Sequence, residues 1–399
     1  MTDANFARIG KELQEARSAE GGPYQNTVPM EVRNYFQSAL AFGGTATSQL
    51  LQSGPSLRSL ELVLDMPAGT TLTGDPAVNP GAFFINNLQM QTNGRVFVNL
   101  SGAQVFQLNK GSASINGLQS LEISDGTNQT LAQRKVMWQD GFKYIIHLPC
   151  PCDDTPIPYS KFASPIQVQL TLNTVNNILE GGTGTCALAN AYIIATFLTV
   201  PSGTTNVDED TLALVQQAPN GVDNLIQDHY FMQYSLLAGV TTATLQLNQL
   251  RNFVGLMTFY IVRTADLQTA GDYKPQNYLP ISTFQMVLAG NNIFSQQPVD
   301  ADVHRRYVLP RSGLLNYTDE LLYGIGFEGG FSGSDHQPID IPYGGGLFIG
   351  ASGVGSPELQ LTFPALPANC TCFVNVTAWN AVRYTAAGNG QLNMTAVLN

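Results

Sequence analysis

Ser164-Pro165-Ile166-Gln167-Val168-Gln169-Leu170-Thr171-Leu172 decides how the rest of this 399-residue chain is read. From Ile166 to Leu172 apolar and polar residues alternate without a break, the period of a strand with one buried and one wet face. The phrase returns far downstream, where Ser356-Pro357 leads into Leu359-Gln360-Leu361-Thr362-Phe363. One stretch thus says that the chain is built from strands and that it is built twice.

Other echoes follow in the same order. Asn34-Tyr35-Phe36-Gln37, running on to Gly43-Gly44-Thr45, is matched by His229-Tyr230-Phe231-Met232, running on to Gly239-Val240-Thr241. Leu57-Arg58-Ser59-Leu60 is matched by Leu250-Arg251-Asn252-Phe253, and Thr185-Cys186 with Asn190 by Thr371-Cys372 with Asn375. Tyr35 to Tyr230 is 195 residues, Leu57 to Leu250 is 193, Gln169 to Gln360 is 191 and Thr185 to Thr371 is 186. A nearly constant offset with slow drift is the mark of two copies of one unit that differ by loop insertions. Between them, Asp208-Glu209-Asp210 leads into a short helical stretch, Thr211 to Gln217, which Pro219-Asn220-Gly221 closes. The expected organisation is an N-terminal helix in 1–22, a first β unit in 23–203, a linker in 204–221 and a second β unit in 222–399. Short runs rich in β-branched and aromatic residues fill both units, punctuated by turn signals such as Asn93-Gly94 and Gly181-Gly182. That pattern describes a sandwich or barrel.

Charged residues make up only 12% of the chain, roughly half the usual share. Asn, Gln, Thr, Ser and Gly take their place, which suits a surface buried against copies of itself, because charges are costly to desolvate at interface cores. The net charge of −11 and the lack of any basic run longer than Arg305-Arg306 argue against sequence-specific nucleic-acid binding. No stretch of 18 apolar residues is present to span a bilayer. Met1 to Gly22 is polar and lacks the apolar centre of a signal peptide, so synthesis in a reducing host cytoplasm is expected.

Within that leader, Phe6, Ile9, Leu13 and Ala16 follow steps of three and four, with Arg8, Lys11, Glu12 and Glu15 off the stripe. Asp3 can cap this helix and Gly21-Gly22-Pro23 ends it. The helix has no counterpart before the second unit. Its apolar side either packs under its own barrel or, through Phe6, Ile9 and Leu13, contacts a neighbouring subunit or a membrane surface.

The chain offers little for catalysis. His147, His229, His304 and His336 stand in no His-x-His or His-Glu-x-x-His spacing, which weakens a cupin-like or zincin-like enzyme. Gly330-Phe331-Ser332-Gly333 is one residue short of a nucleophile elbow, and no phosphate-binding Gly-x-x-x-x-Gly-Lys loop occurs. Cys150-Pro151-Cys152 and Cys370-Thr371-Cys372 are spaced too closely for the usual zinc pattern. Each pair reads as small buried apolar side chains sharing a strand face; the fifth cysteine is Cys186. Asp153-Asp154 and Asp208 to Asp210 read as surface loops, with calcium as the alternative. No enzyme activity, cofactor or metal is expected. A tandem carbohydrate-binding or receptor-binding spike is the competing function, and it would need Trp138, Tyr159 or Trp379 exposed for stacking on sugar rings.

Two similar β units led by a helix resemble the double jelly-roll major capsid proteins, the lineage of tectivirus-like membrane-containing phages, adenovirus hexon and the large DNA viruses. Tyr323-Gly324-Ile325-Gly326-Phe327 followed by His336-Gln337-Pro338 is similar to a strand and His-Gln-Pro segment of that family, although Ile339-Asp340 stands where the family usually has Ser-Gly. Ala378-Trp379-Asn380-Ala381-Val382-Arg383-Tyr384, then Gly388-Asn389-Gly390-Gln391-Leu392, resembles its final strand and Gly-rich tail. The resemblance implies an all-β fold of two tandem eight-stranded jelly rolls with a short N-terminal helix. It further implies a homotrimer of six upright barrels, a pseudo-hexagonal capsomer that tiles an icosahedral virion beside neighbouring capsomers and penton or minor capsid proteins. The leading helix would lie on the inner side, near a membrane.

Overall fold

The computed structural model of the chain describes residues 28–396, apart from 78–79, 117–129, 154–155, 200–206, 219, 251, 269–273, 275, 289, 293–296, 309–320, 327–346 and 350–356. Phe6, Ile9 and Leu13, with the whole expected N-terminal helix, lie outside the described residues. So do Gly330 to Gly333, His336 to Pro338 and the Ile339-Asp340 turn.

In the first half, β1 (Val28–Tyr35), β2 (Thr45–Gln49), β3 (Leu57–Met66), β4 (Ile85–Thr92), β5 (Arg95–Ser101), β6 (Phe142–His147), β7 (Gln167–Leu172) and β8 (Asn190–Thr199) form two antiparallel sheets. Their orders are β1-β8-β3-β6 and β2-β7-β4-β5. Apart from the β4–β5 hairpin, consecutive strands alternate between sheets, and the last strands return beside the first, which is the jelly-roll order. Leu60, Leu62 and Leu64 of β3 and Ile193, Ala195 and Phe197 of β8 point inward and are fully buried. Val168, Leu170 and Leu172 of β7 meet them from the other sheet, so the alternation that opened the sequence reading becomes the core face. A one-residue slip of β7 would carry Gln167, Gln169 and Thr171 into that core and expose its three aliphatic residues. The β4–β5 hairpin turns at Asn93-Gly94, with φ of 50° and 70°, the left-handed pair that a tight hairpin needs.

The second half repeats the plan. Its strands are β9 (Val222–Leu236), β10 (Thr242–Gln246), β11 (Asn252–Arg263), β12 (Tyr278–Leu279), β13 (Thr283–Leu288), β14 (Asn291–Asn292), β15 (Val299–Asp300), β16 (Tyr323–Gly326), β17 (Leu347–Ile349), β18 (Glu358–Thr362), β19 (Cys370–Ala387) and β20 (Gln391–Ala396). One sheet runs β9-β19-β11-β12, with β16 and β17 also paired to β11 and β20 to β19; the other runs β10-β18-β13-β14, with β15 on β13. Met257, Phe259 and Ile261 of β11, Val374 and Val376 of β19, and Leu359 and Leu361 of β18 fill its core. Strand for strand, β1 corresponds to β9, β2 to β10, β3 to β11, β7 to β18 and β8 to β19. The structure exposes an echo that four-residue matching missed: β2 reads Thr-Ala-Thr-Ser-Gln and β10 reads Thr-Ala-Thr-Leu-Gln. It also removes one. Thr185-Cys186 precedes β8, whereas Thr371-Cys372 lies within β19, so that match has no structural counterpart.

Two compact units partition the chain. One contains β1–β8, runs to Ile226 and takes in the chain from Ala381 onward; the other holds Gln227–Thr269 and Lys274–Asn380. The stretch resembling a Gly-rich tail is therefore a hairpin. It turns at Asn389 and Gly390, both left-handed, and its last strand pairs back on Val382–Ala387. Within its unit, Ala163 N–H donates to Leu392 O at 2.9 Å, and Arg383 grips Asp223 through two bonds of 2.6 and 2.8 Å.

The reading of nearly everything past the leader as strand is corrected by helices in the first unit, α1 (Gly102–Asn116) and α2 (Leu131–Asp140). Both lie in the long insertion between β5 and β6. α2 begins on a complete capping box, in which Thr130 and Gln133 satisfy each other's backbone N–H groups. The first residue of α1 must be glycine, because a Cβ at Gly102 would stand 2.2 Å from Ile85 O and 2.4 Å from Ala82 O. Helix α3 spans Val207–Gln217, within the first unit, beginning before the expected Thr211.

Candidate functional site

Each candidate group from the sequence has an assigned place. His147 ends β6 on the outward face of its sheet, in one cross-strand row with Glu61, Ile194 and Arg33. The Pro151–Asp153 turn folds over it, and His147 Nε2 meets Asp153 Oδ2 at 2.9 Å, with Nδ1 3.7 Å from Glu61 Oε1. Burial pulls the imidazolium down, but the two carboxylates outweigh it and push its pKa up to about 10. His147 is thus a buried cation at neutral pH. Asp153 also accepts from Cys150 N–H at 2.9 Å, and Arg58 donates to the carbonyl oxygens of Cys152 and Asp153. The cluster ties a turn to a sheet, with Glu61 Oε2 and Asp153 Oδ1 buried and not hydrogen-bonded.

The expected surface-loop reading of the acidic runs is corrected at Asp153 and Asp208, while Glu209 and Asp210 are exposed. Asp153 serves the His147 ion pair, and Asp208, in the first turn of α3, is fully buried. Its carboxylate takes the N–H and hydroxyl of Ser56 at 3.0 and 2.7 Å and those of Ser160 at 3.2 and 2.6 Å. Ser56 sits at φ 47°, a left-handed position for a residue with a side chain. Burial raises the Asp208 pKa, against the downward pull of the four serine donors. Among the described residues, no group of three or more His, Cys, Asp or Glu is arranged to hold a metal ion.

His304 is buried and its Nε2 meets Gly324 O at 3.0 Å; burial lowers its pKa, so it is neutral. His229 meets the Thr377 hydroxyl at 3.2 Å. Cys150, Cys152, Cys370 and Cys372 are buried, and burial pushes the Cys152, Cys370 and Cys372 thiols up, the behaviour of small apolar side chains. Cys186 is half-buried near the Thr70 hydroxyl.

Two of the three aromatic side chains named for sugar binding are inside. Trp138 is 0% exposed, packed against Phe42 and Phe84, and Tyr159 is also 0% exposed, its hydroxyl donating to Leu50 O. The side chain of Trp379 lies outside the described residues.

What faces outward is patterned by sheet. The β1-β8-β3-β6 face carries Arg33, Glu61, Asp65, Lys143 and His147. The β2-β7-β4-β5 face carries hydroxyls and amides joined across strands, Thr45 to Thr171 at 2.8 Å, Gln91 to Gln167 at 2.9 Å and Asn87 to Asn99 at 3.1 Å. The equivalent β10-β18-β13 face joins Thr283 to Thr362 at 2.5 Å, and its carboxylate, Glu358, accepts from Gln246 at 2.8 Å.

With both sheets of each half described, the architecture can be set beside solved structures. The Faustovirus major capsid protein superposes with a TM-score of 0.66 at 10% identity, covering 95% of this chain and 97% of its own. The PBCV-1 virus capsid model gives 0.64 at 12% identity, covering 93% and 97%. The mavirus major capsid protein gives 0.51 at 12% identity, covering 96% and 92%. The fold is the double jelly roll. The likeness extends over the full length of both partners, so both halves and their order are shared. At these identities it is a likeness of fold alone. No protein-family model matches the chain, and no curated protein sequence matches it.

Proposed function

We propose that this chain is the structural subunit of an icosahedral virion shell, acting by assembly and not by catalysis. The observation that carries the reading is the end-to-end superposition on solved capsid folds, 97% of the Faustovirus chain and 97% of the PBCV-1 chain, with both sheets duplicated in order. A duplicated barrel lets three copies present six similar units, so a trimer can sit where sixfold symmetry is needed. The low charge supports broad lateral contacts with neighbouring capsomers. The burial of Trp138 and Tyr159 removes two of the three residues that a sugar-binding spike would have used.

On this reading the partners are the chain itself, as homotrimer and neighbouring capsomer, together with penton or minor capsid proteins. Residues 204–221 join the two duplicated units, and Phe6, Ile9 and Leu13 anchor the subunit to a neighbour or to an inner membrane. The protein is made in the host cytoplasm and ends in the capsid. Native mass spectrometry of the purified chain tests the core of this: the expected species is three copies of the 43.0 kDa chain. A monomer that binds glycans would overturn the proposal in favour of the spike.

A further inference from the structure

We infer that the Thr- and Gln-rich outer faces of β2-β7-β4-β5 and β10-β18-β13, the second of which also carries Glu358, are the surfaces on which another copy of this chain docks. The inference rests on the shell reading and adds where the lateral contact lies.

The chain carries a net charge of −11, so two copies repel each other over most of their surfaces. On the first face, the outward residues of β2, β7 and β4 are Thr or Gln apart from Asn86 and Asn87, and no carboxylate or cation stands among them. Thr47 lies opposite Gln169, which lies opposite Gln89. On the second face, Thr244 lies opposite Gln360, which lies opposite Gln285. The two halves have diverged in loops, helices and strand lengths, yet this Thr-Gln-Gln row recurs at the same place in both.

Such a face suits its own kind. Amide and hydroxyl groups both donate and accept, so a Thr/Gln surface is complementary to another Thr/Gln surface. The first face also meets its copy without like-charge cost, and the second carries the single carboxylate of Glu358, which Gln246 caps, whereas the β1-β8-β3-β6 face gathers Arg33, Glu61, Asp65 and Lys143. Size points the same way. Four strands at about 4.8 Å and five residues at about 3.4 Å make a patch of about 300 Å². A stable pair needs about 800 Å² from each partner. One face alone is too small for a lasting dimer, but two per chain repeated around a shell add up through multivalency. The occupant is therefore a second copy within an array.

The test uses two full-length variants. Gln169→Glu with Gln360→Glu makes both faces acidic; Gln169→Lys with Gln360→Lys makes both basic. Gln169 is exposed and Gln360 half-buried, both at the centre of an outward row, so circular dichroism and melting should match the parent chain. Assembly is read by light scattering and electron microscopy. Each variant alone should lose at least tenfold in assembly at 0.15 M salt. An equimolar mixture should regain it, and 1 M salt should partly restore the acidic variant, as screening shortens to about 3 Å. Folded variants that assemble like the parent chain, or that stay apart when mixed, overturn the inference and leave the shell reading standing. A parent chain that never associates overturns both.

Discussion

The ion pair at His147 makes a quantitative demand on the pH dependence of stability. A histidine whose folded pKa lies above its unfolded value stabilises the fold fully below the unfolded value, and that contribution is lost as pH rises through the folded one. Here the window runs from 6.5 to about 10. Linkage puts the contribution at about 4 kcal/mol at pH 7 and about 0.4 kcal/mol at pH 10, a slope of about 1.4 kcal/mol per pH unit between. His147→Gln removes it. The packing lost with the ring is independent of pH, so the gap between parent chain and variant should shrink by about 3.5 kcal/mol from pH 7 to pH 10. Cysteines and tyrosines of the unfolded chain titrate near the upper end of this range, but they do so in both proteins and cancel. The assay is urea unfolding at pH 7, 8.5 and 10, followed by tryptophan fluorescence in a Trp379→Phe background. Trp138 then reports alone, from the same unit as His147. A gap that stays constant with pH would refute the assignment of His147 as a buried cation.

Other outcomes follow from the same packing. Asp208→Asn replaces an acceptor of four serine donors with an amide that can accept at one atom only, and should cost about 2 kcal/mol in urea unfolding of the first unit. Gly102→Ala drives a Cβ onto two backbone carbonyls and should cost about 3 kcal/mol, visible as a lowered melting temperature. Deleting residues 1–20 should leave a folded trimer by native mass spectrometry but impair shell formation; loss of the folded first unit would place the helix in its core instead.

Much of the fold was legible because its signals are local and repeated. The Ile166–Leu172 alternation became the inward and outward faces of β7, and its echo became β18. Asn93-Gly94 marked a hairpin because few other pairs adopt two left-handed residues. The helices α1 and α2 were not read, although Thr130 and Gln133 carried a capping box, because both sit in an insertion that the repeat does not predict. Asp208 resembled a surface acid because its partners, Ser56 and Ser160, are 152 and 48 residues away. The pairing of His147 with Glu61 was equally hidden, since it depends on the register of β6 against β3. The Thr- and Gln-rich sheet faces were present in composition as a shortage of charge, but only strand pairing shows that these residues are gathered on particular sheets.

Single-particle electron microscopy of the purified chain tests the central claim most directly. The expected image is a threefold particle with a hexagonal outline, containing six upright β barrels from three polypeptides. A particle with two barrels from one polypeptide, or a ring whose barrels do not number six, would contradict it.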